Sequence, residues 1–166
     1  MMLQKGLPMP QLAKGGKFVF GWSRLGADGS VTLPLEARRE YRLRAGESLV
    51  LISGSRTSGG CGVSSRRLLR TSVLAGILKK IDTGDTRGPV QISPQRLAVT
   101  ARLDARGRFR LTAPARRTFG LRAGARLLVI RSSDIAIGLA ACGPLVAFAR
   151  QFPELPVFPA ARGRRG

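Results

Sequence analysis

The chain contains no histidine in its 166 residues. Imidazole is therefore excluded as a general base, a metal ligand or a switch near neutral pH. There are only two cysteines, Cys61 and Cys142, far apart in sequence. They make neither a CxxC pair nor a disulfide framework, and they read as small buried hydrophobes in a reducing compartment. Aromatic residues make up 5% of the chain, so a core must be built from Leu, Val, Ile and Ala. Acidic residues number nine against 29 Lys and Arg. Those nine show no carboxylate pairing suited to acid–base work; Asp82 and Asp85, for example, fall in a polar stretch. Ser53 to Gly60 is rich in Gly and Ser but lacks the Lys-Ser/Thr ending of a phosphate loop. It reads as a mobile hairpin tip. The expectation is a protein that is not an enzyme and uses no cofactor or metal. Met1 to Gly16 has no signal-peptide architecture, and no apolar run reaches the ~18 residues that span a bilayer. No membrane partner is expected, and the expected location is the cytoplasm, in association with the nucleoid.

What the chain does have is positive charge. The formal net charge is +20 and the pI about 11.9. A domain this basic repels its own copies and attracts polyanions, with nucleic acid the first partner to consider and an anionic membrane surface the second. A genome rich in G and C would explain the excess of Arg over Lys, but not the shortage of acids. The hydrophobic fraction of 43% is enough to build a core.

The chain also repeats itself. Residues 24–52 align with 102–130 at a shift of 78 without a gap, and fourteen of 29 positions are identical. They include Arg24/Arg102, Gly29/Gly107, Leu33/Leu111, Ala37/Ala115, Arg38/Arg116, Arg39/Arg117 and the run Leu43-Arg44-Ala45-Gly46/Leu121-Arg122-Ala123-Gly124. A duplicated unit is the simplest account.

Each copy reads alike. An apolar stretch (Phe18 to Leu25; Leu97 to Leu103) leads to a turn at Gly29 or Gly107. A short alternating strand follows, Val31-Thr32-Leu33 or Phe109-Arg110-Leu111. Pro34, or Thr112 with Pro114, opens a short helix. A dense apolar strand (Ser48 to Ser53; Arg126 to Arg131), a polar turn and a last strand (Cys61 to Ser64; Ile135 to Leu139) form a hairpin. The fold class expected is mainly β with short helices: two tandem ββαββ units of about 45 residues, each too small to bury a good core alone. The organisation expected is a flexible segment 1–16, repeat 1 over 17–65, a connecting helix and linker over 66–94, repeat 2 over 95–141, an extension over 142–159 and a basic disordered tail over 160–166. Arg66 to Ile81 suits one amphipathic helix, Asp82 to Pro94 a polar linker, and Pro144 to Phe152 another helix.

The stretch Gly29-Ser30-Val31-Thr32-Leu33-Pro34-Leu35-Glu36-Ala37-Arg38-Arg39, followed by Leu43-Arg44-Ala45-Gly46-Glu47-Ser48-Leu49, resembles the AbrB/MazE/SpoVT superfamily. Asp104 to Pro114 and on through Gly124 is similar, and two such modules in one chain resemble the arrangement in the MraZ family. The resemblance covers about half the chain. It implies a swapped-hairpin, double-psi-like barrel in which two ββαββ units interlace, here as a pseudo-dimer within one chain. It also implies a transcriptional regulator that binds double-stranded DNA. On that pattern the DNA contacts are Arg24 and Arg102 before the first turn, Arg108 after the turn glycine, and the helix pairs Arg38-Arg39 and Arg116-Arg117. In copy 1 the position of Arg108 is taken by Ser30. From 102 to 126 there are eight Arg and one Asp, but from 24 to 44 five Arg and three acids. Copy 2 is thus expected to dominate DNA affinity. Two other functions remain open. One is an antitoxin-like protein whose Pro144 to Pro159 segment wraps a toxin partner. The other is a non-specific nucleic-acid binder of architectural type. A homo-oligomer is possible.

Overall fold

The structure, a computed structural model, describes residues 18–55, 57–84 and 88–159. The expected N-terminal segment 1–16 and basic tail 160–166 lie outside the described residues. The first unit consists of β1 (Val19–Arg24), β2 (Ser30–Thr32), α1 (Leu35–Glu40), β3 (Ser48–Ser53) and β4 (Cys61–Ser65). Next come α2 (Arg66–Arg70), α3 (Gly76–Thr83) and β5 (Val90–Ser93). The second unit is β6 (Arg96–Arg102), β7 (Arg108–Arg110), α4 (Ala113–Phe119), β8 (Arg126–Arg131) and β9 (Ile137–Ala140). It is followed by α5 (Pro144–Ala149) and β10 (Val157–Phe158). The fold is mainly β with short helices.

Most pairing runs between the repeats. An eight-stranded sheet has the order β10-β1-β8-β9-β4-β3-β6-β5, and β2 pairs with β7 in a separate ribbon. Within each unit, only the hairpins β3–β4 and β8–β9 pair internally. β1 lies against β8, β3 against β6, β4 against β9 and β2 against β7, all antiparallel. The register obeys the duplication. Arg24 faces Arg126, and the equivalent pair Ser48 and Arg102 face each other in the same way. Val31 faces its own counterpart Phe109, and Gly62 faces Gly138, so a pseudo-twofold relation runs through both centres.

This exchange solves the problem of unit size. The main core draws on both copies, including Leu25, Leu33, Leu49 and Leu51 from the first and Leu103, Phe109, Leu111 and Leu127 from the second. Tyr41 ties the units together at its rim. Its hydroxyl reaches Ser133 O at 2.6 Å and Ala136 O at 3.0 Å.

Three expectations about the segments between and after the repeats are corrected. Arg66 to Ile81 forms two helices, not one. Ser72 takes over the chain between them: its hydroxyl donates to Leu69 O and accepts from Leu74 N–H, the kind of local bond that competes with a helix ladder. Asp82 to Pro94 is more than a linker, because it holds β5, which pairs with β6 and buries Ile92 beside Val50, Leu69, Ile81 and Ala98. The helix expected over Pro144 to Phe152 stops at Ala149. The chain then returns as β10 to lie parallel to β1, with Trp22 opposite Val157. Val146, Ala149 and Leu155 are buried against Val19, Trp22 and Leu128. No described helix is long and apolar enough to cross a membrane.

Candidate nucleic-acid interface

The β2–β7 ribbon joins the two repeats and carries the best candidate site. Ser30 pairs with Arg110, Val31 with Phe109 and Thr32 with Arg108. Side chains alternate across a strand. Val31 and Phe109 therefore point into the core, where they are 0% and 2% exposed. Ser30, Thr32, Arg108 and Arg110 stand on the other face, with Arg110 exposed.

The turns at either end fix this face. In copy 1, Asp28 Oδ1 accepts the Ser30 N–H at 3.0 Å, and Oδ2 lies 3.7 Å from Arg110 Nη2. In copy 2, Asp104 Oδ1 accepts the N–H groups of Arg106 and Arg108 at 2.8 and 2.9 Å. Hydrogen bonds from Ser30 hold the Asp28 carboxyl below its usual range, and the Arg108 backbone N–H does the same for Asp104. Arg108 Nε lies 3.5 Å from Asp104 Oδ2, yet it is buried and makes no hydrogen bond. The pair is a loose electrostatic contact that leaves a guanidinium donor unused. Asp28, Ser30, Arg102, Asp104, Arg108 and Arg110 line one cleft of about 340 Å3.

The seven arginines singled out in the sequence fall into three groups. Arg102 and Arg108 share the ribbon cleft, with Arg102 Nη1 donating to Gly46 O at 2.6 Å. Arg24, Arg39 and Arg117 are exposed, and none of the three lines that cleft. Arg38 and Arg116 are half-buried and do internal work. Arg38 Nε donates to Leu33 O at 3.1 Å, and Arg116 Nη1 donates to the equivalent Leu111 O at 2.7 Å. Each guanidinium lies against the turn glycine of the other repeat: Arg38 on Gly107 and Arg116 on Gly29. Across the same seam Leu33 N–H bonds Gly107 O and Leu111 N–H bonds Gly29 O, both at 2.8 Å. These two arginines clamp the turns that present the ribbon.

The helices deliver them there for local reasons. In α4 the Thr112 hydroxyl caps Ala115 N–H at 3.2 Å, and the helix ends at Gly120 in the left-handed region. Ala37 and Ala115 face inward, and the next residue on each helix, Arg38 or Arg116, reaches the turn glycine of the other repeat.

Sequence reasoning missed Arg110 and Arg106. Arg110 lines the cleft, and the signal was present: Arg108-Phe109-Arg110 alternates with period two, so one outward arginine implies the other. Arg106 sits exposed on the β6–β7 turn, where its backbone is held by Asp104.

No protein-family model matches the chain, and no curated protein matches it in sequence. Among solved structures it is similar to the solution structure of PHS018 from Pyrococcus horikoshii, at 15% identity. The match covers 76% of this chain and 96% of that chain with a TM-score of 0.35.

Proposed function

We propose that the chain is a non-enzymatic regulator that binds double-stranded DNA with sequence preference, presenting the β2–β7 ribbon to the major groove. The observation that carries this reading is the outward face of the ribbon. It sets Arg108 and Arg110 on one strand beside the hydroxyls of Ser30 and Thr32 on the other. A B-DNA major groove admits a two-stranded ribbon. A guanidinium matches both phosphate and the O6/N7 edge of guanine, and hydroxyls serve either bases or backbone. Arg102 and Arg106 flank the ribbon, so arginine outnumbers carboxylate around the cleft. The Arg38 and Arg116 clamps hold the turns before DNA arrives, and preorganisation of this kind lowers the entropic cost of binding.

The architectural part of the proposal is an AbrB-type swapped-hairpin, double-psi-like arrangement formed as a pseudo-dimer within one chain. Strand exchange between the repeats and the shared core support it. The regulator reading is favoured over the antitoxin one because the segment that would wrap a toxin is occupied. Val146, Ala149 and Leu155 are at most 5% exposed, packed against the chain's own sheet.

Selection of bound duplexes from a random pool at physiological salt tests this reading. An enriched motif supports it. Equal retention of random duplex and RNA would make the protein a non-specific binder and overturn the proposed sequence preference.

A further inference from the structure

The C-terminal extension builds a second cleft, away from the residues that line the ribbon cleft. It has a volume of about 450 Å3 and lies between β1, β8 and the α5–β10 segment. Its floor is formed by buried apolar residues that open little surface to it, and the rest of the lining is mixed. Trp22 and Leu155 line it while only 4% and 5% exposed, together with Ala149, and Phe152 adds an aromatic wall. The segment is held in place by Trp22 N–H bonding Pro156 O at 2.9 Å and Leu155 N–H bonding Phe152 O at 3.1 Å. A side chain at position 21 would collide with Pro156 O, so the glycine there is what lets the segment close on β1.

Two guanidiniums, Arg126 and Arg150, complete the lining, and both residues are exposed. Among the described residues no carboxylate lines the cleft, and no ion pair engages either arginine. Glu154, next in sequence to the lining residue Pro153, is not part of the wall. Across the β1–β8 ladder Arg126 faces another cation, Arg24. Like charges in directly opposed positions are unfavourable unless an anion lies between or beside them.

We infer that this cleft binds a small organic anion: a carboxylate joined to a flat apolar body. The two guanidiniums supply forked N–H donors that match a carboxylate. Phe152, Pro153 and Val157 supply the surface for the body, backed by the buried Trp22 and Leu155. The volume falls within the range of small-molecule sites. A bare inorganic anion leaves that surface uncovered, and a neutral aromatic leaves both cations unpaired. Such binding is separate from DNA binding and uses different residues.

Trp22 is the only tryptophan in the chain, so its emission reports on the cleft. The test is titration of the full chain with phenylacetate, with acetate, inorganic phosphate and 2-phenylethanol as comparison probes, followed by fluorescence and by calorimetry. The expected result is saturable binding of phenylacetate, tighter than that of the three comparison probes. Arg126→Gln and Arg150→Gln, each retaining the wild-type melting temperature, weaken it about tenfold or more, as loss of a charge-assisted hydrogen bond does. Lys79→Gln, a surface charge change outside the cleft, leaves it unchanged. The inference is overturned by the absence of saturable heat or emission change. It is also overturned by phosphate or acetate binding as tightly as phenylacetate, or by Lys79→Gln weakening binding as much as the cleft variants.

Discussion

The guanidinium of Arg116 fills the space that a side chain on Gly29 would need, and Arg38 does the same at Gly107. One residue from each helix thus locks the turn of the opposite repeat, and both glycines have positive φ, 88° and 79°. The duplication preserves arginine and glycine together because they are two sides of one contact.

Stability should separate the two arginines of each helix pair. Arg38→Ala and Arg116→Ala each remove a charged donor from a carbonyl, a loss of about 1–3 kcal/mol. Arg39→Ala and Arg117→Ala remove exposed side chains and should stay within about 0.5 kcal/mol of wild type. Urea denaturation of the four variants measures this, and equal losses within a pair would contradict the assignment.

The left-handed residue shortly past each helix provides a second comparison. Gly120 has φ 69°, and its counterpart Arg42 holds φ 55° in the same left-handed region. A Cβ at Gly120 would meet nothing within 4 Å, so Gly120→Ala isolates the backbone cost, about 1 kcal/mol. Arg42→Gly relieves the corresponding strain and should leave thermal stability equal or higher. A clear drop in melting temperature for Arg42→Gly would mean that the Arg42 side chain contributes more than its backbone costs.

These contrasts show where the sequence was legible. The 78-residue shift exposed the duplication, and with it the turn glycines, the short strands and the helices, because each is set by residues close together in the chain. β5 was hidden because Val90-Gln91-Ile92-Ser93 is short and flanked by Pro89 and Pro94; its strand character comes from pairing with β6, a tertiary event. The break between α2 and α3 turns on one hydroxyl, that of Ser72, and a helical period does not register it. Arg38 and Arg39 look equivalent as letters. Only the arrival of Gly107 from the other repeat distinguishes them.

Acid should weaken one bond between the units. Arg131 donates through Nε and Nη2 to the Glu40 carboxylate, and its guanidinium also lies 4.7 Å from the Phe18 ring centroid. The hydrogen bond from Arg131 lowers the Glu40 pKa below its ordinary 4.5. A folded pKa below the unfolded one gives stability that is fully present above 4.5 and is lost as pH falls through the folded value. The pair is solvent-screened, so the effect should be under about 1 kcal/mol. Comparing wild type with Glu40→Gln by urea denaturation, the gap should be present at neutral pH and vanish in acid. A gap that persists in acid would contradict the assignment of this effect to the ion pair.

Whether the β2–β7 ribbon meets duplex DNA through its arginines is decided most directly by fluorescence anisotropy. A labelled duplex is titrated with wild type and with the Arg108→Gln/Arg110→Gln double variant over a range of salt concentrations. Binding by wild type should depend steeply on salt. The double variant should bind more weakly, with the log–log slope reduced by about 1 for each phosphate that is no longer neutralised. Equal affinity and equal slope for the two proteins, with both folded, would contradict a ribbon that binds DNA.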